Sequence, residues 1–182
     1  MRQHGSGLRF RLRTFAILVS CAALVLGAWT ASANRQRRAV ETILQKQGDV
    51  AYSFNRRASG ASLPPKWMMS REVRDYFFPV VGIGIREDAE LGDQDLAVLA
   101  SLPKIEDLQL YGPRFSDAAL DQLAKLRRLR KIALVNTRIT DDGLSRLAAM
   151  SALEEIGLCE NATTPEGLAR LADALPQCVV RH

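Results

Sequence analysis

The stretch "ITDDGLSRLAAMSALEEIGLCENA", residues 139 to 162, decides the fold, because its pattern recurs along the C-terminal half of the chain. From residue 91, rows of 24 residues align without a gap: "LGDQDLAVLASLPKIEDLQLYGPR", "FSDAALDQLAKLRRLRKIALVNTR", the quoted stretch, and the shorter "TTPEGLARLADALPQCVVRH". Two columns hold only leucine: Leu96, Leu120, Leu144 and Leu168, and Leu99, Leu123, Leu147 and Leu171. Self-similarity at a fixed period of this length predicts a stack of equivalent structural units.

The second half of each row predicts a strand, because apolar residues follow the spacing L-x-x-L-x-L. These residues are Ile105, Leu108 and Leu110; Leu129, Ile132 and Leu134; and Leu153, Ile156 and Leu158. Three positions further on, Asn161 ends the third row's pattern, where Thr137 and Pro113 stand in the earlier rows.

With the phrase "TDDGLSRL" at 140–147, this pattern resembles the leucine-rich repeat family, specifically its short bacterial membrane-anchored members. The resemblance covers residues 80–182 and implies an α/β fold, a short solenoid of 24-residue repeats with parallel strands on a concave face and helices on the convex face. Pro113 and Thr137 depart from the family's asparagine ladder and predict a less regular coil.

The first half of each row predicts the start of a helix. Ser116, Thr140 and Thr164 stand where a hydroxyl caps the N-terminus. The next column holds Asp93, Asp117, Asp141 and Pro165, and an acid there suits the helix dipole, as a proline suits the first turn. A single recurring carboxylate column lacks the dense oxygen cluster that calcium requires, so no metal site is predicted.

Near the N-terminus, "TFAILVSCAALVLGAWTASA" at 14–33 is twenty residues long and uncharged. At about 1.5 Å per residue it matches the roughly 30 Å hydrocarbon core of a bilayer, so a single membrane-spanning helix is predicted, with Trp29 at the interface. Four arginines precede the span and three follow it closely, which favours a cytoplasmic N-terminus and a folded part outside the cytoplasm.

Two alternatives use the same residues. The sequence Ala31-Ser32-Ala33 fits a signal-peptidase site, and cleavage after Ala33 would give a secreted protein. The stretch "LVSC" at 18–21 resembles a lipoprotein box, but its long apolar run follows Cys21 instead of preceding it. An uncleaved anchor is the favoured interpretation.

The region between anchor and repeats predicts a juxtamembrane helix at 34–47, a strand at 50–54, a flexible loop at 55–65, an aromatic helix at 66–78 and a strand at 80–85. The aromatic residues of the second helix are expected to cap the end of the repeat core. The chain therefore divides into a basic N-terminal segment at 1–13, the span at 14–33, a juxtamembrane helix and cap at 34–90, and repeats at 91–182.

The formal net charge of +5 comes from the N-terminal segment, since residues 1–38 contain seven arginines and no Asp, Glu or Lys. The remainder has 18 Lys and Arg against 20 Asp and Glu, which provides no footprint for nucleic acid. The only histidines, His4 and His182, lie at opposite ends, and no phosphate-binding loop is present, "GIG" at 82–84 being only a fragment. No enzyme and no cofactor are predicted.

Three cysteines, at positions 21, 159 and 178, form neither an even framework nor a CxxC pair. This pattern indicates no zinc site and no disulfide scaffold. A bond between Cys159 and Cys178 is compatible with an oxidising compartment, but buried free thiols are the favoured state.

Residues between the inward apolar positions are expected on the concave face and form the candidate partner-binding set: Glu106, Asp107, Gln109 and Tyr111; Arg130, Lys131, Ala133 and Val135; and Glu154, Glu155, Gly157 and Cys159. Acidic, basic and acidic pairs fall on three neighbouring strands, where mutual neutralisation is one explanation. The other is that Tyr111, Val135 and Cys159 form an apolar strip that binds a protein, a short peptide or a second copy of the chain.

The sequence thus favours a membrane-anchored leucine-rich repeat protein that acts as a protein-interaction module. The alternative is a structural or self-associating envelope component that has no dedicated ligand on the concave face.

Overall fold

A computed structural model describes residues 12–53 and 65–182. Its helices are α1 (Leu12–Gln45), α2 (Arg71–Phe77), α3 (Asp117–Leu123), α4 (Asp141–Ala148) and α5 (Pro165–Ala174). Its strands are β1 (Gly48–Tyr52), β2 (Val80–Ile85), β3 (Asp107–Tyr111), β4 (Lys131–Val135), β5 (Glu155–Cys159) and β6 (Val179–Arg181). Two 3-10 helices occupy Lys66–Met69 and Asp93–Ser101. Most of the predicted basic segment, and all of the predicted loop at 55–65 except Pro65, lie outside the described residues.

The six strands form one sheet in chain order, with β1 antiparallel to β2 and every later pair parallel. Residues 24 positions apart face one another: Leu108 pairs with Ile132, and Ile132 with Ile156. The register of these strands therefore matches the 24-residue period of the sequence. It confirms the predicted α/β class with a mostly parallel sheet and an N-terminal apolar helix.

The core lies between one face of the sheet and the helices. Alternate strand residues point inward, so Leu108 and Leu110 on β3 are fully buried while Gln109 and Tyr111 are exposed. The leucine columns fill the helix side, and their members are buried, apart from Leu168, which is partly buried in the last unit. The opposite sheet face, which we call the open face, carries the outward residues of β3, β4 and β5.

The first unit differs from the others because residues 93–101 form a 3-10 helix where later units have α-helices. Gly92 stands in the column of the capping hydroxyls and offers no side-chain cap. Asp95 compensates by accepting a hydrogen bond from the Gly92 amide at 3.1 Å and one from Lys46 Nζ at 2.5 Å. The Lys46 bond lowers the pKa of Asp95 and ties this turn to the end of α1.

Helix α1 is continuous over 34 residues, about 51 Å at the usual rise, so the predicted membrane span and juxtamembrane helix are one element. Its N-terminal part is exposed, whereas Ala33, Ala39, Val40 and Ile43 are buried against the core. Among the described residues it is the only helix long and apolar enough to cross a membrane. It ends where Gly48 approaches Ile43 so closely that a Cβ would lie 2.5 Å from the isoleucine Cγ2.

The predicted aromatic helix at 66–78 is interrupted at Ser70, whose backbone is extended, and only its second half is α-helical. Phe78 packs against the core, whereas two other aromatic residues of this segment do not. Trp67 is 64% exposed and Phe77 is 49% exposed. The prediction that they cap the core is therefore wrong for these two side chains.

A buried polar cluster attaches α2 to β1. The Tyr52 hydroxyl donates to Asp75 Oδ1 at 2.5 Å, and the Arg74 guanidinium lies 4.2 Å from the centre of the Tyr52 ring. Burial and the Asp75 carboxylate raise the pKa of Tyr52 to about 12. The cluster thus joins two segments that are separated in the chain by residues 54–64.

Candidate functional site

The charged residues of the open face are brought together by the parallel register, which places Asp107, Lys131 and Glu155 side by side on adjacent strands. Lys131 Nζ lies 2.6 Å from Glu155 Oε2, and Arg130 pairs with Glu154. The Lys131 hydrogen bond holds the pKa of Glu155 below its usual range. The two cations at the start of β4 and just before it therefore pair with the acids at the start of β5 and just before it, and exposed pairs of this kind contribute little to stability.

A third cation strengthens this pattern. Arg181 on β6 lies 3.2 Å from Glu155, so this carboxylate is held by cations from both neighbouring strands. Arg181 was not among the candidate site residues predicted from the sequence. Its position 26 residues after Glu155, close to one repeat length, was the signal that could have identified it. Glu106 and Asp107 also have interaction partners.

The uncharged candidate residues form a continuous strip. Tyr111, Val135 and Cys159 are register partners on β3, β4 and β5, and Gln109, Ala133 and Gly157 form the next row. Tyr111 is 36% exposed and Cys159 is exposed, while Val135 is half-buried between them. We call Tyr111, Val135 and Cys159 the strand-end strip.

The backbone turns sharply after the strip. Gly112, Asn136 and Glu160 occupy one column, and each has a positive φ, of 104°, 53° and 55° respectively. A Cβ at Gly112 would lie 3.1 Å from the Cα of Glu87, so both conformation and space require glycine there. The left-handed turns end all three strands at the same level and align the strip.

Beside the strip, the open face extends onto β2 and β1, which sequence reasoning did not include in the site. Gly82 and Gly84 on β2 face Ala51 and Asp49 on antiparallel β1, and a groove of about 360 Å³ lies over these glycines and reaches Gln109. The alternating glycines of "VVGIGI" were the available signal. What the sequence lacked was evidence that β1 pairs with β2.

The repeated aspartates stand in the first turns of their helices, as predicted, and have a second role. Asp117 Oδ1 accepts the Thr140 amide at 2.9 Å, and Asp117 Oδ2 accepts the Thr140 hydroxyl at 2.6 Å. Asp93 binds Ser116, and Asp141 binds Thr164, in the same way. Each carboxylate therefore joins its own unit to the following one.

The capping hydroxyl in this arrangement acts twice. Thr140 Oγ1 donates to Asp117 and accepts the Asp142 amide at 3.3 Å, which caps α4. An asparagine or aspartate would cap the helix equally well but could not donate a hydroxyl proton to a carboxylate. This double role explains why only Ser and Thr occupy the cap column in the last three units.

Asparagine occupies its expected column only at position 161, where it forms hydrogen bonds to the preceding unit. Asn161 Oδ1 accepts both the amide and the hydroxyl of Thr137, at 3.0 and 2.6 Å, and Asn161 Nδ2 donates to the Leu134 carbonyl at 2.9 Å. The substitution of threonine for asparagine at 137 thus retains a hydrogen-bonded connection between the third unit and the second.

The cysteines are free thiols, but they are not buried as expected. Cys21 and Cys159 are exposed and Cys178 is half-buried, since Cys159 points outward on β5. Burial, with a smaller contribution from Glu155 and Glu154, raises the pKa of the Cys178 thiol. Within residues 12–53 and 65–182, no cluster of three or more His, Cys, Asp or Glu is arranged to hold a metal ion.

No known family model matches the chain, and no curated protein sequence matches it. Among solved structures, it is similar to a leucine-rich repeat protein of Leptospira interrogans, with 18% sequence identity and a TM-score of 0.37. The similarity covers 47% of this chain and 21% of that protein, so the chain matches about a fifth of its length.

Proposed function

We propose that this chain is a membrane-anchored leucine-rich repeat protein whose concave strand face binds another protein. In this proposal residues 14–33 are the anchor, residues 34–90 cap a short solenoid, and residues 91–182 form its repeats. The observation that carries the proposal is the strand-end strip, three outward side chains aligned across β3, β4 and β5 with Tyr111 exposed at one end.

The strip has features of a small binding surface. Tyrosine is a frequent energetic centre of protein interfaces, and parallel strands hold the strip rigidly, so little entropy is lost on binding. The ion pairs of Arg130 and Lys131 lie at the opposite end of the same strands, beyond the row of Gln109, Ala133 and Gly157, and provide polar contacts at that edge of the open face. Strands about 4.8 Å apart give a narrow surface, which suits a short peptide or a second copy of the chain better than a large target.

The continuous helix α1 supports retention of the anchor. Ala33, the residue before the alternative cleavage point, is buried and lies inside the helix. Cleavage would remove the first part of an element whose second part fills the core. With the cytoplasmic N-terminus favoured by the flanking arginines, the repeats lie outside the cytoplasm.

Membrane fractionation tests the anchor. Alkaline extraction should leave the intact chain in the pellet, because this treatment releases peripherally bound proteins but not a protein with a membrane-spanning helix. Recovery of a soluble form that begins at Asn34 would contradict this part of the proposal and would support secretion.

The face itself is tested by site-specific photo-crosslinking in the native membrane. A photoreactive residue at position 135 should form a defined product that Tyr111→Ala weakens, whereas the same residue at position 173, on exposed α5, should not. A product from position 173 alone would favour the second candidate function, a self-associating envelope component that uses its helices. The charge pairs within the open face are compatible with that alternative, because they neutralise one another without a ligand.

A further inference from the structure

Helix α1 enters the folded region without a spacer. Its side chains are exposed up to Ser32, and Ala33 is the first buried residue. Three residues later, Gln36 Nε2 donates to the carbonyls of Phe78 and Asp75, at 2.8 and 3.2 Å. The folded region therefore begins within one helical turn of the end of the apolar segment.

An aromatic cluster lies at this junction. The Trp29 ring is 5.7 Å from the Phe77 ring and 6.1 Å from the Tyr76 ring, and both contacts are edge to face. Trp29 remains 42% exposed and Phe77 49% exposed, so the cluster presents apolar surface outward. The Tyr76 hydroxyl donates to Asn34 Oδ1 at 3.1 Å, which fixes this ring against α1.

Basic side chains lie close to the cluster in the chain and in the adjacent cavity. Arg35, Arg37 and Arg38 follow on α1 and are exposed. Lys104 lines a cavity of about 150 Å³ together with Trp29 and Phe77. None of these four cations forms an ion pair with another residue in the described part of the chain.

We propose that this surface, which we call the membrane-facing base and define as Trp29, Tyr76, Phe77, Arg35 and Lys104, docks the folded region onto the surface of an anionic bilayer. The inference rests on the proposed anchor. Tryptophan and tyrosine favour the boundary between hydrocarbon and headgroups, and exposed cations close to that boundary attract anionic lipid phosphates. The two kinds of residue meet where the apolar helix leaves the membrane.

Docking has a consequence for orientation. A rigid helix with an adjacent contact on α2 resists tilting of the folded region relative to the bilayer, whereas a flexible linker would allow free rotation. The open face then keeps one orientation to the membrane, so a partner must approach it from a defined direction.

The chain contains two tryptophans, which allows a single-tryptophan test in reconstituted vesicles. The full-length W67F variant, in which Trp29 is the only tryptophan, reports insertion of the anchor. The variant W29F/W67F/F77W places the only tryptophan on α2, and W29F/W67F/D173W places it on exposed α5 as the control. Vesicles contain phosphatidylcholine with one quarter phosphatidylglycerol, and the acyl chains are brominated near the headgroup.

Bromine quenching should reduce the fluorescence at positions 29 and 77 at least twofold and leave that at position 173 unchanged. Quenching of the tryptophan at position 29 without quenching at position 77 would contradict the docking proposal but not the proposed anchor. Absence of quenching at 29 overturns the anchor, and with it the proposed function. If F77W does not fold, as judged by circular dichroism, K104W in the same background replaces it with the same expected result.

Charge reversal tests the role of the cations. R35E with K104E should lower quenching at position 77 in the anionic vesicles and have no effect in vesicles of phosphatidylcholine alone. R114E with R138E, exposed and beyond the opposite ends of β3 and β4 from Lys104, provides the control with equal charge change. An equal response of the two double variants would show that headgroup contacts at the base do not orient the protein.

Discussion

Thr140 donates its amide and its hydroxyl to the two carboxylate oxygens of Asp117, 23 residues earlier, at 2.9 and 2.6 Å. The same pair of bonds recurs between Ser116 and Asp93 and between Thr164 and Asp141. This ladder joins the units on the side where the helices begin. It complements the sheet, which joins them through backbone hydrogen bonds.

The double role of the Thr140 hydroxyl predicts an unusual tolerance at this position. Thr140→Ser should retain stability within about 1 kcal/mol, because serine caps and donates equally well. Thr140→Asp should lose about 2 kcal/mol or more, although aspartate is a good helix cap, because its carboxylate would face Asp117. Urea unfolding of the full chain in detergent measures both, and equal stability of the two variants would contradict the ladder.

Gly143 provides a second test of the same contact. A Cβ at this position would lie 2.2 Å from Asp117 Oδ1, so Gly143→Ala should displace the carboxylate and destabilise the protein by about 1–2 kcal/mol. In an Asp117→Ala background the carboxylate is absent and only Ile139 Cγ2, at 2.9 Å, remains close to the added Cβ, so the same substitution should cost at least about 1 kcal/mol less. A double-mutant cycle measures this difference. An equal cost in both backgrounds would refute the steric explanation.

Glu160 adopts a φ of 55°, which is unfavourable for glutamate. Glu160→Asn should stabilise the protein by about 1 kcal/mol, because asparagine tolerates the left-handed region, as Asn136 does one unit earlier. Glu160→Gln removes the charge but retains the conformational penalty and serves as the control. If glutamine stabilises as much as asparagine, charge and not backbone conformation is responsible.

Tyr52 predicts a loss of stability at alkaline pH. Its pKa is about 12 in the folded protein and 10.0 in the reference state, so the unfolded chain loses this proton first as the pH rises. Stability contributed by the neutral hydroxyl is complete below pH 10 and should fall between pH 10 and 12, by about 1.4 kcal/mol per pH unit. Chemical unfolding at several pH values measures this slope. Tyr52→Phe should flatten it, and an unchanged slope in that variant would assign the transition to other groups.

Asp141 predicts a loss of stability in acid. Hydrogen bonds from the hydroxyl and then the amide of Thr164 lower its folded pKa, so its contribution is present above the unfolded pKa of about 3.9 and disappears as the pH falls through the folded value. Asp141→Asn should be less stable than the parent at pH 7, and the difference should shrink in acid. An unchanged difference between the two proteins across this pH range would contradict the role of Asp141.

The register of the repeats could be predicted from the sequence, because the spacing of the leucines is a local pattern that recurs in each row. Each row places its leucines at positions that one helix face and one strand face bring to the core, as Leu120, Leu123 and Leu134 illustrate by their complete burial. The outward positions follow from the same alternation, so the members of the strand-end strip were predictable as neighbours.

Contacts between segments outside the repeats could not be predicted from the sequence pattern. The antiparallel pairing of β1 with β2, which adds Asp49 and Gly84 to the open face, joins segments on either side of residues 54–64. The aromatic residues of α2 were expected to cover the core, but Phe77 meets Trp29 instead, at the end of the apolar helix. Hydrophobicity alone does not distinguish a core position from a site at a second apolar element.

By itself, the sequence determined the 24-residue unit, the strand pattern and the inward leucines, because side-chain periodicity and local capping specify them within each row. Only the tertiary structure decided that α1 continues unbroken into the core, that Arg130 and Lys131 pair with Glu154 and Glu155, and that each aspartate of the ladder binds the next unit. Hydrogen bonds and ion pairs depend on distances of a few ångströms between residues far apart in the chain. The stacking of the units sets those distances.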